Sequence, residues 1–169
     1  MTRRALTTFA VTLVALTSWA WSWRDADVTS DLRVTSCSWF GEYYRRVAEL
    51  GEDRTHWRVD TLPDRIGGWV DTKTDVVTIS PATPCDLVHD VVTHEWAHLL
   101  QVAYYGDWDT AYAVGGATRL EREADCVSYL MGSHYTPYVG IPGGGVTCTP
   151  DELFWANELL KSHSDLIRR

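Results

Sequence analysis

The chain has 169 residues, with 23 acidic and 15 basic side chains that give a formal net charge of −8 and a pI near 5.1. This length is typical of one domain with a sizeable core, and nine tryptophans add large aromatic area to bury or to line a groove. Because an acidic chain repels phosphates, and because no basic stripe is interleaved with aromatics, we exclude nucleic acid as a partner.

The N-terminus differs in character from the rest of the chain. Arg3 and Arg4 precede an apolar run without acidic residues from Ala5 to Trp23, and Ser18-Trp19-Ala20 places small residues where a signal peptidase needs them. We therefore predict that residues 1–20 are a signal peptide. Its removal takes away two arginines and no acid, which leaves 13 basic and 23 acidic residues and a mature charge of −10.

An uncleaved membrane anchor that reaches about residue 23 is the alternative, since the apolar run of 19 residues carries tryptophans suited to a membrane interface. Only in that case do we expect contact with a membrane. Both interpretations place the domain outside the cytoplasm, either secreted or anchored at the surface. Residues 21–35 are predicted to be a tether and residues 36–169 to form the domain, whereas no pattern indicates an oligomeric state.

The four cysteines are even in number, and no two form a Cys-x-x-Cys pair. In an exported chain this pattern favours two disulfides over a thiolate metal site, and three pairings are possible. We favour Cys37 with Cys85 and Cys126 with Cys148, since each pair would connect one predicted helix to the start of another.

Apolar spacing predicts the elements that follow the tether. A helix spans about Cys37 to Leu50 and ends at Gly51. Alternating apolar residues predict a strand over Thr55–Thr61 and a hairpin whose strands are Trp69–Val70 and Val76–Ser80.

The next helix carries the most informative motif of the chain. Thr83 is its predicted N-cap, Pro84 its first residue and Gly106 its end. Apolar residues cover about half of the circumference, so we expect a mostly buried helix with the motif at the border of the apolar face.

The motif itself reads His94-Glu95-Trp96-Ala97-His98. Residues four apart on a helix share a face, so both imidazoles can bind one zinc ion while Glu95 is directed towards a water on the metal. A zinc with an open coordination position lowers the pKa of its water to roughly 7, which supplies hydroxide at neutral pH. The alternative is a pair of hydrogen-bonded core histidines, which would need two buried partners instead of one metal.

Two further helices follow. One spans about Thr118 to Met131 and ends at Gly132, and the last spans Thr149 to about Lys161, with Glu152 closing a capping box. Between them, residues 133–148 are rich in Gly, Pro and Tyr and are predicted to form a mobile loop at the rim of a cleft.

The first of these two helices is the best source of a third metal ligand. Glu121 and Asp125 are four residues apart and share one flank, so one can bind metal while the other accepts the ring N–H of a ligating histidine. A purely solvated acidic face is the alternative. An aspartate ligand from the loop after the motif, Asp107 or Asp109, is also compatible with the spacing.

The two motifs together resemble the gluzincin metallopeptidases, and the Glu-x-x-Ala-Asp-Cys form of Glu121 to Cys126 resembles the small neutral zinc metallopeptidases in or near that group. The resemblance covers about Gly67 to Gly132. It implies an α+β, compact zincin-like domain, in which a small mixed sheet with an edge strand packs on the His-Glu-x-x-His helix and on the helix that bears the third ligand.

The resemblance also implies the roles of individual residues. The zinc ligands would be His94, His98 and Glu121, with Glu95 as general base and acid and Asp125 as hydrogen-bond partner of a ligand. The strand over residues 76–80 would be the sheet edge on which an extended peptide substrate lies antiparallel.

The chain differs from the metzincin motif, and it lacks a motif for one residue that gluzincins commonly have. The metzincin pattern needs a glycine and a third ligand where this chain has Gln101 and Tyr104, so that pattern is absent. Gluzincins commonly stabilise the oxyanion with a His or Tyr, and no motif identifies that residue here. His134, Tyr135 and Tyr138 are the candidates, and simple packing of each on the core is the alternative.

We therefore predict an extracytoplasmic zinc metallopeptidase that hydrolyses peptide bonds, with Glu95 as general base. A zinc amidase that acts on cell-wall or other non-protein amides is one alternative. The other is a catalytically inactive, disulfide-braced binding or inhibitory module.

Overall fold

A computed structural model describes residues 37–63, 66–139 and 148–167. The predicted signal peptide (1–20), the tether (21–35) and the central part of the predicted rim loop (140–147) lie outside these ranges. Within the described residues, no helix combines the length and the apolar character needed to cross a membrane.

The described residues form a mixed α+β structure, as predicted, with four helices and a small three-stranded sheet. Two short 3₁₀ turns, Arg54–His56 and Cys85–Leu87, precede β1 and α2. The elements in chain order are α1 (Trp39–Glu49), β1 (Trp57–Val59), β2 (Gly68–Asp71), β3 (Val76–Ile79), α2 (Val88–Tyr105), α3 (Trp108–Leu130) and α4 (Pro150–Ile167).

The sheet has the order β1-β3-β2, so β3 is its central strand. β1 pairs with β3 in parallel, with Trp57 opposite Val77, and β2 pairs with β3 antiparallel, with Gly68 opposite Ile79. The hairpin is confirmed, but the prediction that residues 76–80 form the sheet edge is wrong. The physical reason is that β1 pairs with the other side of β3, and a buried strand with three apolar residues out of four suits such a central position.

The start of α2 also differs from the prediction. Pro84 has extended backbone angles, φ −52° and ψ 137°, and helical structure proper begins at Val88 after the 3₁₀ turn. Thr83 does not cap the helix, because its hydroxyl donates instead to the carbonyl of Gly67 at 3.1 Å. The predicted end at Gly106 is confirmed, with φ 94°.

α3 begins earlier than predicted. Asp107 caps it by accepting a hydrogen bond from the amide of Thr110 at 2.7 Å, so Trp108 is helical rather than part of a loop. Gly116 then interrupts the helix with φ 69° and ψ 165°, angles that favour glycine. The part after this break corresponds to the helix predicted from Thr118.

The remaining elements are close to the predictions. α1 has Ser38 as its N-cap, and α4 begins with the predicted capping box, in which Thr149 and Glu152 exchange hydrogen bonds at 2.7 and 3.3 Å. α4 continues to Ile167 rather than ending near Lys161. β1 is shorter than predicted, because the 3₁₀ turn replaces its first residues.

Both disulfides form with the predicted pairing. Cys37 is bonded to Cys85 and Cys126 to Cys148, across 48 and 22 residues of sequence. Closing loops of this size restricts the unfolded chain and stabilises the fold by roughly 3–4 kcal/mol each in the chain-entropy model.

α2 is the central element of the domain, since it contacts α1, α3, α4 and strands β2 and β3. Every residue from Asp90 to His98 is buried, as expected for a helix with a wide apolar face. The motif is therefore held rigidly between the sheet on one side and α3 on another. The largest fully buried apolar side chains around it are Val47, Val77, Ile79, Val88, Val91, Val92, Val127, Val139 and Leu159.

Candidate metal centre

Two histidines of α2 and a glutamate of α3 converge on one point. His94 and His98 are 2% and 7% exposed, and their ring centroids are 4.8 Å apart. Glu121 Oε2 lies 3.1 Å from His94 Nε2 and 3.5 Å from His98 Nε2. All three ligand atoms lie within 4.8 Å of one another, so the group can hold a metal ion.

Asp125 sets the orientation of the first histidine. It is completely buried, and its Oδ1 lies 2.9 Å from His94 Nδ1. An ionised carboxylate can only accept hydrogen bonds, so Nδ1 carries the proton and donates it to this contact. The lone pair of neutral His94 is therefore on Nε2, which faces Glu121.

Gln101 sets the orientation of the second histidine, His98, a role that the sequence analysis did not assign to it. Its Nε2 donates to the carbonyl of Leu120 at 2.8 Å, which turns its Oε1 towards His98 Nδ1, also at 2.8 Å. The lone pair of neutral His98 thus also lies on Nε2. Gln101 follows His98 by three residues on the same helix, and this spacing could have indicated the contact.

The charges around the ligands explain why a cation suits this place. Burial lowers the pKa of His94, but its hydrogen bonds with Asp125 and Glu121 outweigh this effect and raise the pKa to about 10. Burial likewise lowers the pKa of His98, which the charge of Glu121 raises above its ordinary value. A proton and a metal ion compete for the same lone pairs, so an environment that attracts one also attracts the other.

The pKa of Glu121 changes in the opposite direction to the pKa values of the two histidines. Burial would raise the pKa of its carboxyl, but the charge of His98 and the hydrogen bond with His94 hold it well below its usual range. Glu121 is therefore ionised at neutral pH and available as an oxygen ligand. Two imidazole nitrogens and one carboxylate oxygen form a donor set that fits zinc with an open fourth position.

Glu95 lies beside the ligands without being one of them. It is 4% exposed, and burial raises the pKa of its carboxyl above the ordinary value. A carboxylate with a raised pKa accepts a proton more readily, as a general base requires. Its position on α2 places it against the first residue of β2.

Tyr138 is the oxyanion candidate that the structure brings to the centre. Its ring stacks on that of His94, with centroids 5.7 Å apart and planes 22° apart. Burial raises the pKa of its phenol, and the charges of Glu121, Glu95 and Asp125 and a hydrogen bond with Glu121 raise it further. The hydroxyl is therefore protonated at neutral pH and remains a donor.

The other two candidates occupy different surroundings. His134 is exposed, whereas Tyr135 packs against the hydrophobic core. The backbone amides of both donate to Asp90 Oδ2, at 3.2 and 2.8 Å. Of the three predicted candidates, the geometry therefore favours Tyr138.

The backbone that carries Tyr138 is fixed by buried charge. Asp125 Oδ2 accepts the amides of Tyr138 and Val139, at 2.5 and 3.0 Å, and Arg122 donates to the carbonyl of Tyr138 at 2.9 Å. One carboxylate thus holds both His94 and the residue that stacks on it. Residues 138 and 139 of the predicted rim loop are therefore held to α3.

The first part of α3 supplies an aromatic wall that sequence analysis missed. The Trp108 ring is 5.8 Å from that of His98, and the Tyr112 ring is 6.5 Å from Trp108. Burial raises the pKa of Tyr112, and the charge of Glu121 raises it further. The sequence predicts the next helix only from Thr118, so it assigns neither side chain to a helix face.

The alternative aspartate ligands lie elsewhere. Asp107 and Asp109 are exposed, and Asp107 caps α3. Among the described residues, the one group of three or more His, Cys, Asp or Glu side chains whose ligand atoms converge contains neither aspartate.

Comparison of the chain with protein-family models, with curated proteins and with solved structures gives no match.

The role of Gln101 leads to a direct prediction. Leucine has a similar volume but no acceptor for the ring N–H of His98, so we expect Gln101→Leu to weaken zinc binding by about 10- to 100-fold. Competition with a chromophoric chelator measures this affinity. An affinity equal to that of the wild type, in protein that remains folded, would show that His98 does not depend on Gln101.

Proposed function

We propose that this chain is an exported, zinc-dependent metallopeptidase. The observation that carries the proposal is the convergence of His94 Nε2, His98 Nε2 and Glu121 Oε2, with the tautomers of both histidines fixed and a buried carboxylate, Glu95, beside them. Two hydrogen-bonded core histidines would not need a third ionised group that faces both lone pairs. The predicted signal peptide and the two disulfides support export.

A zinc ion in this place would supply Lewis acidity and lower the pKa of a water to roughly 7. The residues of the chain do the rest. Glu95 accepts a proton from the attacking water and passes it to the nitrogen of the leaving amine, so that the peptide C–N bond breaks with no net change at the carboxylate. The raised pKa of Glu95 suits both steps.

We assign the stabilisation of the oxyanion to the phenol of Tyr138. It is a protonated donor held next to the ligand Glu121 by stacking on His94 and by the anchored backbone. Because its position is fixed before substrate binds, it would stabilise the developing charge without reorganisation.

The substrate would bind along β2 rather than β3. β3 is paired on both sides, whereas β2 is an edge of the described sheet and its first residue contacts Glu95. An extended peptide that pairs with the free edge of β2 would bring its carbonyl group to the metal centre. Backbone pairing of this kind favours a peptide over an amide that lacks an extended main chain.

The proposal is tested with purified, zinc-loaded protein on two substrates. We expect cleavage of an unstructured polypeptide library, loss of cleavage on chelation and recovery when zinc is restored. Digestion of purified cell wall without cleavage of polypeptide would identify the amidase instead. Absence of bound zinc at micromolar free metal would contradict both enzymes and favour the binding module.

The role of Tyr138 is tested by removal of its hydroxyl. We expect Tyr138→Phe to lower kcat about 100-fold, the size typical of one oxyanion donor, with little change in zinc affinity. Tyr112→Phe removes the other phenol near Glu121 and is the matched comparison. A large loss of kcat in Tyr112→Phe alone would transfer the role to Tyr112, and a loss of zinc affinity in Tyr138→Phe would show that Tyr138 only supports Glu121.

A further inference from the structure

The first residue of β2 lies unusually close to the side chain of Glu95. A methyl group at Gly68 would be 2.4 Å from Glu95 Cγ and 2.5 Å from Glu95 Oε1, far inside van der Waals contact. We propose that Gly68 is a positioning residue, whose lack of a side chain lets the carboxylate of Glu95 lie directly against the strand that receives the substrate. This inference rests on the proposed function of Glu95 as the general base.

The backbone of β2 cannot move away to make room. The carbonyl of Gly67 accepts hydrogen bonds from the amide of Ser80 at 2.8 Å and from the hydroxyl of Thr83 at 3.1 Å. Gly68 itself pairs with Ile79 of the central strand. The strand is thus held to β3 and to the segment that precedes α2.

Glu95 has little freedom to avoid the methyl group by a local change. It is itself only 4% exposed, so other groups surround its side chain on nearly all sides. To reach ordinary contact, its side chain would have to withdraw by about 1 Å. The backbone of Gly68 accepts alanine, because this residue is not among the described glycines with positive φ. The contact with Glu95 is therefore the reason for glycine here.

A displacement of this size matters for the reaction and leaves the ligands in place. Misplacing a catalytic group by about 1 Å costs on the order of 100-fold in rate. We expect Gly68→Ala to lower kcat by about 100-fold, with KM and zinc affinity within about twofold of the wild type. A merely structural role would instead reduce the folded fraction and zinc binding together.

The contact is tested separately by a double-mutant cycle in stability. Gly68→Ala is combined with Glu95→Ala, and the denaturation midpoints of the four zinc-free proteins are compared. We expect Gly68→Ala to lower the midpoint when Glu95 is present and to have little effect when it is truncated, since the methyl group then has room. Gly41→Ala is the matched control, because its added methyl meets only the side chain of Ser38, and its effect should add to that of Glu95→Ala.

The outcomes are distinct. Coupled midpoints with a selective loss of kcat support the proposal. Additive midpoints overturn it, as does unchanged kcat in Gly68→Ala. The third outcome combines coupled midpoints in the cycle with a wild-type protein that cleaves no peptide. This result would overturn both the proposed peptidase and the positioning role, while the close contact between Gly68 and Glu95 would stand.

Discussion

Replacement of Glu95 by glutamine is expected to abolish peptide hydrolysis while zinc remains bound. The amide has the same shape as the carboxylate but cannot accept the proton of the attacking water, so we expect kcat to fall by about 1000-fold or more. Glu95 is not a member of the converging ligand group, which is why metal content should not change. The measurement is kcat of the purified variant together with its zinc content.

The same substitution has a predictable effect on stability. Burial raises the pKa of Glu95, so its ionisation at neutral pH disfavours the folded state in the zinc-free protein. A neutral amide removes this cost, and the melting temperature of zinc-free Glu95→Gln should equal or exceed that of the wild type. Glu158→Gln, at a half-buried position of α4, is the control and should retain full activity. Hydrolysis at the wild-type rate in pure Glu95→Gln protein would contradict the proposed mechanism.

Local periodicity explains which parts of the site were predictable. His94 and His98 are four apart on α2, and Glu121 and Asp125 are four apart on α3, so the helical period alone places each pair on one face. The contact between these faces of α2 and α3 depends on tertiary structure, which the helical period does not determine. The need of a zinc site for a third ligand predicts this meeting, and in the structure Glu121 and Asp125 both contact His94.

The order of the strands shows what the sequence could not supply. A hairpin is a local structure, and β2 with β3 was recognised from alternation and a polar turn. The parallel pairing of β1 with β3 joins Trp57 to Val77, which are distant in sequence, and nothing in either strand specifies its partner. This pairing leaves β2, and not β3, at an edge of the described sheet.

The missed start of α3 has a different cause. Asp107 is predicted to lie in a loop, whereas in the structure it is an ordinary N-cap that accepts the amide of Thr110. Gly116 then concealed the helical period by breaking the element in two. For these two reasons the sequence does not reveal Trp108, which lies beside His98 of the candidate metal centre, or Tyr112 beside Trp108.

Loss of zinc in Glu121→Ala is the second large effect that we expect. A ligand contributes more than the residues that orient ligands, whose removal weakens binding by about 10- to 100-fold, so the zinc affinity of Glu121→Ala should fall more than 100-fold. Zinc at 100 times its dissociation constant stabilises a folded protein by about 2.7 kcal/mol. For a domain of this size, this corresponds to a rise in melting temperature of roughly 5–10 °C in the wild type.

The zinc-induced shift is the quantity to compare, because Glu121 also pairs with both histidines when no metal is bound. Its removal changes the stability of the zinc-free protein, but only loss of the ligand abolishes the response to zinc. Asp109→Ala is the matched control, since Asp109 is the exposed acid that an aspartate-ligand site would use. A shift that survives in Glu121→Ala and disappears in Asp109→Ala would move the third ligand to the first turn of α3. We expect the opposite result, in which the zinc-induced shift is lost in Glu121→Ala and kept in Asp109→Ala. The reason is that the carboxylate of Glu121 is ionised and already faces Nε2 of both histidines, so it needs no rearrangement to bind the metal.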